Sequence, residues 1–478
     1  MDAFASAMLV KISRLTVAGA ILAMAGVAQG ASLTTLYNFT GGANGANPSA
    51  AVLFGANGSL FGTTPVGGSQ GFGTIFELTP GNPWAQTVLY SFQGGNDGAN
   101  PGAALISGVG GVFYGTTFTG GGSGDGTVFQ LTKPAKAGGA WTESVIYSFR
   151  SNASGIVNVA GTGVSLVSGS PFLTGTVWNG LPIVINGVTY TIASVVSSSA
   201  LTLTASAGSQ ANVLYAVTDG SGPQGGVILL NGDLYGTTFG GGTAGAGTVF
   251  ELIPPAGGKG FWTEKVIYNF QAGKDGSGPE SGLITSNGAL YGTTCCGTVG
   301  GTVFKLAPNK KGGWSKQSVY SLSAYSVGAF PFGTLAIDAN GVLYGTTVAG
   351  GTGTAGIVFS LTPPTTKGKP YTLTTIHSFT NGADGGAPYG GMLLGSNGTL
   401  YATVTAGCAF GVGGVLQFTP PAGGAGAWTE TVLYSFTGAQ DGSQPFAGVV
   451  FGSNNMLYGT TVFSMGDTGY GTVFELTP

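Results

Sequence analysis

The chain has 478 residues; 93 are glycine and only 6 % are charged, against about 25 % in ordinary globular domains. Fourteen basic against seventeen acidic side chains give a net charge of −3, so no basic stripe exists to neutralise phosphates, and nucleic-acid binding by charge is excluded. With 42 % hydrophobic residues the chain is not of the weakly hydrophobic, disordered kind, its glycines do not fall at every third position as in collagen, and a single histidine argues against a histidine-based catalytic or zinc site.

Residues 1–30 read as a secretory signal. Lys11 and Arg14 form a short basic region, and Leu15 to Ala28 is apolar. Ala28-Gln29-Gly30 is a small-x-small cleavage site. The apolar run is shorter than the ~20 residues needed to span a bilayer; the competing reading is an N-terminal membrane anchor. No second run of spanning length follows. The expected location is secreted, extracellular or at the cell surface. Cys295, Cys296 and Cys408 remain after cleavage; an odd count is not a disulfide framework.

Internal repetition then dominates. Tyr-Gly-Thr-Thr begins at Tyr114, Tyr235, Tyr291, Tyr344 and Tyr458, with a Phe variant at Phe61 and a degenerate copy at Tyr401. The spacings are 53, 121, 56, 53, 57 and 57 residues. Each copy lies in a longer unit. An outer strand such as Trp141 to Phe149 leads through a turn such as Asp97 to Pro101 into a short apolar run. A hairpin turn such as Asn287-Gly288 opens the Tyr-Gly-Thr-Thr strand, and a glycine-rich loop leads to Gly-Thr-Val-Phe-Glu-Leu-Thr-Pro. Four β-type runs per unit, separated by Gly, Asn and Pro, make a four-stranded antiparallel meander. Seven meanders at a period of about 50 residues predict an all-β fold, a seven-bladed β-propeller. Glycines such as Gly62 and Gly115 inside strands mark close backbone approach. The chain opens on an outer-strand phrase, Leu33 to Phe39, and ends on the strand that normally precedes it, Gly471 to Thr477. These two are expected to pair and close the ring, removing an exposed edge.

The DGxxP turn, the NGxLYGTT phrase and GTVFELTP resemble the GloVer tandem repeat of choice-of-anchor proteins, bacterial secreted or surface proteins carrying a signal peptide. The resemblance covers nearly the whole mature chain except one insertion, and implies no established activity. Family members often end in an anchor segment. Here the chain stops at Pro478, at the end of a repeat, so free secretion is expected.

The long interval holds the insertion. Phe149 is followed by its turn aspartate, Asp219, seventy residues later, where Phe92 is followed by Asp97 after five. The domains are then 1–30 (signal), 31–150 (first part of the propeller), 151–217 (inserted small β module) and 218–478 (remainder). Alternating runs such as Ile183 to Ile192 suggest an SH3-like barrel or an extended hairpin array. It carries almost no charge. A recognition lobe and a tolerated surface insertion are both open readings.

The turn before each inner strand is the best candidate site. Proline occurs in all seven copies, with glycine three residues earlier. One position before that glycine stands Asp97, Asp219, Asp275, Asp384 or Asp441; the exceptions are Asn44 and Val327. In a propeller these turns share one face with the glycine-rich loops, which predicts a ring of carboxylates. Such oxygens suit calcium, or a neutral glycan. Asp-Gly is also a turn signal in its own right, and duplication accounts for the slot without a ligand. Glu280, near Asp275, makes the one local carboxylate pair worth testing for glycoside hydrolysis. Asp125 and Asp467 fall on the same face; Asp233 and Asp338 fall on the opposite one. His377 occupies a slot that is tyrosine elsewhere and reads as a packing aromatic. The repeated Trp84, Trp141, Trp262, Trp314 and Trp428, with Tyr371, read as inter-blade packing rather than a sugar platform. Cys295, Cys296 and Cys408, in matching loops, are candidates for a vicinal or cross-loop disulfide.

The reading is a monomeric, non-catalytic binding or structural propeller that recognises polysaccharide or cell-envelope protein. No cofactor is required, with calcium the one candidate ion. The alternative is an extracellular carbohydrate-active enzyme, a glycoside hydrolase or lyase, on the same scaffold.

Overall fold

The computed structural model describes residues 31–478 apart from 137, 151–152, 173–181, 218, 259–261, 298–299, 323–324, 367, 425 and 465–468. Residues 1–30, expected to be a signal, and Asp467 lie outside the described residues. Each repeat folds as one four-stranded antiparallel sheet, and seven such sheets form the propeller. Blade one is Leu53–Phe54, Leu60–Thr64, Thr74–Thr79 and Ala85–Ser91, running outward in chain order. Blade seven takes its outer strand from the N-terminus: Ser32–Asn38 pairs antiparallel with Thr472–Thr477, Leu33 opposite Leu476. The expected closure is present.

The Tyr-Gly-Thr-Thr strand explains why blades pack. Gly62, Gly115, Gly236, Gly292, Gly345 and Gly459 each stand opposite a phenylalanine of the next strand: Phe76, Phe129, Phe250, Phe304, Phe359 and Phe474. A Cβ at any of these glycines would lie 2.5–2.7 Å from the ring. The close approach inferred from sequence is thus to a cross-strand ring, not to backbone at the axis. In the sixth blade Ala402 replaces glycine, and the facing residue is Leu416. All six phenylalanines are fully buried. Five meet the phenylalanine ending the preceding blade's outer strand edge to face, at 5.0–5.2 Å (Phe39–Phe76, Phe92–Phe129, Phe149–Phe250, Phe270–Phe304 and Phe436–Phe474). Each such pair contributes about 0.5–1.5 kcal/mol beyond burial.

The two threonines complete the joint. The first donates its hydroxyl to a backbone carbonyl of the next blade in all seven units, from Thr63 to Ala103 O (3.0 Å) round to Thr460 to Ala50 O (3.1 Å). The second bonds the threonine opposite it in five units, as Thr64 with Thr74 at 2.8 Å. Trp262, Trp314 and Trp428 pack on Tyr114, Tyr235 and Tyr344 of the preceding blade. Trp141 reaches Phe61 of the preceding blade and stacks on its own Phe113.

Between blades two and three the chain forms a closed six-stranded barrel, from Ala153–Ala160 to Ser209–Val217. Val157, Val164, Ile183, Ile185, Ile192, Leu201 and Val217 fill it. Its ends are pinned together. The Arg150 N–H donates to Asp219 Oδ2 at 3.2 Å, as the Gln93 N–H donates to Asp97 Oδ2 at 2.6 Å only four residues away. The barrel therefore enters at a turn whose hydrogen bond is kept, so the blades on either side need not adjust.

Gly459→Ala is expected to cost about 1–3 kcal/mol, because its Cβ would overlap the Phe474 ring. Combined with Phe474→Leu, the sixth-blade pairing, the double variant is expected to be about 1 kcal/mol less destabilised than the sum of the single effects, because the leucine relieves the overlap. Urea unfolding of the four proteins measures this; strict additivity would refute the coupling.

Candidate functional site

Each turn aspartate accepts two kinds of hydrogen bond. Asp97 takes the Tyr90 hydroxyl at 2.7 Å and the Gln93 N–H. Asp275 takes the Tyr268 hydroxyl and the Gln271 N–H, both at 2.8 Å. Asp441 takes the Tyr434 hydroxyl at 3.0 Å with the N–H and hydroxyl of Thr437. Asp384 takes the N–H and hydroxyl of Thr380 and lies 3.3 Å from His377 Nε2. Asp219, fully buried, takes the Tyr147 hydroxyl at 2.8 Å and the N–H groups of Arg150 and Gly220. The aspartate thus ties the end of an outer strand to the turn that follows. His377 does the work of tyrosine while packing on Phe379 and Phe418.

A second slot faces the first; the sequence shows Glu143, Glu264 and Glu430 sharing it, but not that it faces the turn aspartate. It is the third residue of the next blade's outer-strand phrase: Gln86, Glu143, Glu264, Lys316, Leu373 and Glu430. Lys316 donates to Asp275 Oδ1 at 2.5 Å and to its backbone oxygen at 2.6 Å. Burial raises Asp275, but Lys316, the Gln271 N–H and Tyr268 outweigh it and hold the carboxyl below its usual value. Gln86 donates to Asn44 O at 2.8 Å. Where the turn residue is Val327, the facing slot is Leu373. In these six units the slots match chemically, and that matching was the available sequence signal; the seventh departs from it, with Leu33 in the slot that answers Asp441.

Three joints instead oppose two acids. Burial first, and Asp97 second, push Glu143 up to about 9. Burial and Asp219 push Glu264 well above the normal range. Burial raises Glu430, and Asp384 adds to this while His377 opposes it. Asp219 itself is raised to about 7, chiefly by burial and against the bonds it accepts. Glu143 Oε1, Glu430 Oε1 and both oxygens of Glu264 are buried with no hydrogen-bond partner. At Asp97–Glu143 and Asp219–Glu264 the glutamate is the partner held protonated, because two adjacent carboxylates out of water resist ionising together; at Asp384–Glu430 the glutamate is raised in the same direction.

Other acids are placed separately. Glu77, Glu251 and Glu475 sit opposite Phe61, Tyr235 and Tyr458, and the last two tyrosines donate to their glutamates. Asp338 caps its hairpin by accepting the Asn340 and Val342 N–H groups. Asp233 is raised by burial and by Glu251, while Asp125 joins a loop bridge with Gly120. Glu280 stands apart. It is raised to about 7 by burial alone, and Asp275 and Glu280 do not act on each other. Among the described residues no group of three or more His, Cys, Asp or Glu could hold a metal ion. Cys295 and Cys296 form a vicinal disulfide. Cys408 is a buried free thiol, pushed up to about 12 chiefly by burial; the cross-loop alternative is not formed.

Residues 17–182 and 184–372 match the Gloeobacter/Verrucomicrobia repeat. This chain belongs to that family. No curated protein matches it. Among solved structures, this repeat protein is similar to a putative 6-phosphogluconolactonase from Bacteroides fragilis, at 15 % identity over 84 % of this chain and 86 % of that one, TM-score 0.45. It is similar to the periplasmic gluconolactonase of Pseudomonas aeruginosa, at 13 % over 87 % and 94 %, TM-score 0.40. It is also similar to an ulvan lyase, at 9 % over 91 % and 94 %, TM-score 0.45. Likeness at this level carries nothing about chemistry. No helix among the described residues of the repeat protein is long and apolar enough to cross a membrane.

Two expectations follow for the repeat protein. Glu143 is raised in the fold, so its contribution to stability is full below the unfolded glutamate value and is lost as pH rises towards about 9, by at most about 1.4 kcal/mol per pH unit. Glu143→Gln should therefore match the parent near pH 4 and gain on it progressively up to pH 9 in thermal melts; a gap independent of pH would refute the acid pair. In intact-mass analysis, reduction should add two hydrogens, and Cys408 should resist alkylation until the protein is unfolded.

Proposed function

We propose that the protein works outside the cell as a non-catalytic binding and structural propeller, recognising polysaccharide or a cell-envelope protein through the face that carries the turns and glycine-rich loops. The supporting observation is the fate of the repeated acids. The five turn aspartates accept hydrogen bonds from their own strands and turns. Three outer-strand glutamates are engaged in the joints. Hydrolysis of a glycoside uses two carboxylates about 5–5.5 or 6.5–9.5 Å apart across an open cleft, and these acids are committed to the frame. Glu280, on the same face, has no such role in the frame and is available to a ligand. The joints also give a structural role its basis, since blades hydrogen-bonded all the way round hold the loops at fixed positions.

A thermal-shift screen of the protein against calcium, EDTA and soluble bacterial and plant polysaccharides tests the reading. A ligand at a hundredfold excess over its Kd adds about 2.7 kcal/mol and raises the midpoint. A polysaccharide shift without release of reducing ends or unsaturated sugar is expected. Polysaccharide cleavage would overturn the non-catalytic reading.

A further inference from the structure

One slot in the repeat does not repeat. The residue after the turn proline is Ser49, Gly102, Gln224, Glu280, Phe332, Tyr389 and Phe446 in blades one to seven. The residues around it are uniform. Before it stands the proline; after it come two residues drawn from Ala, Gly, Ser and Thr, and then a buried aliphatic such as Val52, Leu283 or Val449. Duplication accounts for the frame and leaves this position unexplained.

The slot lies at the entrance to the innermost strands, where blades meet around the axis. Neighbouring copies touch through it. Phe332 and Tyr389 stack with centroids 5.4 Å apart and planes 8° from parallel, and Tyr389 meets Phe446 at 4.9 Å. Phe330 extends the arc behind Phe332, at 6.3 Å. On the other side the wall is small: a Cβ on exposed Gly102 would meet only Ser49 Oγ, 3.7 Å away. Burial chiefly, and then the charge of Glu280 two blades away, raise the Tyr389 hydroxyl, so the two side chains are near enough to interact. Glu280 is half-buried and has no hydrogen-bond or ion-pair partner among the described residues; nor does any described cation act on it.

A carboxyl raised by burial and left without a protein partner is costly to ionise, and no described cation offsets that cost. Aromatic rings beside it favour a cation over an anion. A ligand that supplies both a positive donor and a body to lie against rings would answer both features. We propose that the axial mouth formed by Glu280, Gln224 and Ser49 opposite Phe332, Tyr389 and Phe446 is a binding site for an organic ammonium group. This deepens the binding function proposed above and rests on it. The ammonium pairs with Glu280, and its carbon body lies on the aromatic arc. A glucosamine-bearing polysaccharide and a free alkylammonium share this chemistry.

Titration calorimetry of the purified protein with glucosamine hexamer, its fully N-acetylated counterpart and tetramethylammonium tests the site. The glucosamine hexamer is expected to bind, and the acetylated one at least tenfold more weakly. Tighter binding of the hexamer than of tetramethylammonium assigns the saccharide source, and equal binding assigns the free amine. Glu280→Gln should weaken either by tenfold or more with an unchanged melting midpoint, whereas Asp233→Asn on the opposite face should not. Tetramethylammonium keeps its charge at every pH, so its affinity should rise about tenfold from pH 6 to pH 8 as Glu280 ionises. Equal binding of the acetylated hexamer, unchanged affinity in Glu280→Gln, or no binding of any ammonium probe would overturn the site. A polysaccharide shift that survives Glu280→Gln would leave the broader binding function standing without it.

Discussion

The propeller depends on a missing side chain. At six positions glycine leaves space for the ring of the phenylalanine on the next strand to lie over the backbone, with at most 2.7 Å between that ring and where a Cβ would stand. The ring is thereby placed to meet the preceding blade edge to face. The same strand then brings the following threonine within reach of the next blade's backbone carbonyl. One four-residue phrase so fixes packing within a blade, packing to the blade before and hydrogen bonding to the blade after. Ala402 opposite Leu416 shows the constraint from the other side: where the ring is absent, the methyl is admitted.

The joints between outer strands follow a looser rule, that the two facing slots agree in chemistry, kept in six of the seven and broken where Leu33 answers Asp441. Lysine against aspartate, amide against amide, and aliphatic against aliphatic all satisfy it, and two facing acids do so where one is held protonated. The last solution loses stability as pH rises, because its glutamate is raised, whereas Lys316 holds Asp275 below its usual value. Asp219 with Glu264 is the most buried of the acid pairs. It lies where the barrel enters, beside an Arg150 whose Nε and Nη1 have no hydrogen-bond partner among the described residues. Polar groups concentrate here because the chain must leave and re-enter the blade at one turn without disturbing the outer strand.

The blade count, the strand order and the closing strand were legible because each rests on a periodic signal that duplication has preserved. Ring closure followed from which phrase begins the chain and which ends it. The reason for the strand glycines was not legible, since Gly62 and Phe76 lie far enough apart in sequence that only strand pairing shows they are opposite. The acid pairs were missed for the same reason: Asp97 and Glu143 belong to different units, and each slot looks self-sufficient when read along the chain. The turn role of the aspartates was visible, but their tyrosine partners seven residues upstream were not weighed with them. The barrel's alternating Ile183 and Ile185 were readable; its closure was not, because closure is set by register.

Repetition by duplication implies that residues shared by all units serve the scaffold, and that specificity resides where units diverge. The aspartate slot fails that criterion, being shared by five units and satisfied within each. The slot after the turn proline meets it: around the axis it runs from serine and glycine through glutamine and glutamate to three aromatic rings. A propeller concentrates such differences, because seven equivalent positions converge on one mouth and each contributes a different group to the same small space. The frame needs only that the two residues which follow be small, so the slot itself is open to variation at little cost to stability. Half of that ring is apolar, and the other half holds a lone carboxyl. This polarity across the axis is the arrangement a ligand with a charged end and a carbon body would require, and the blade joints hold it rigid.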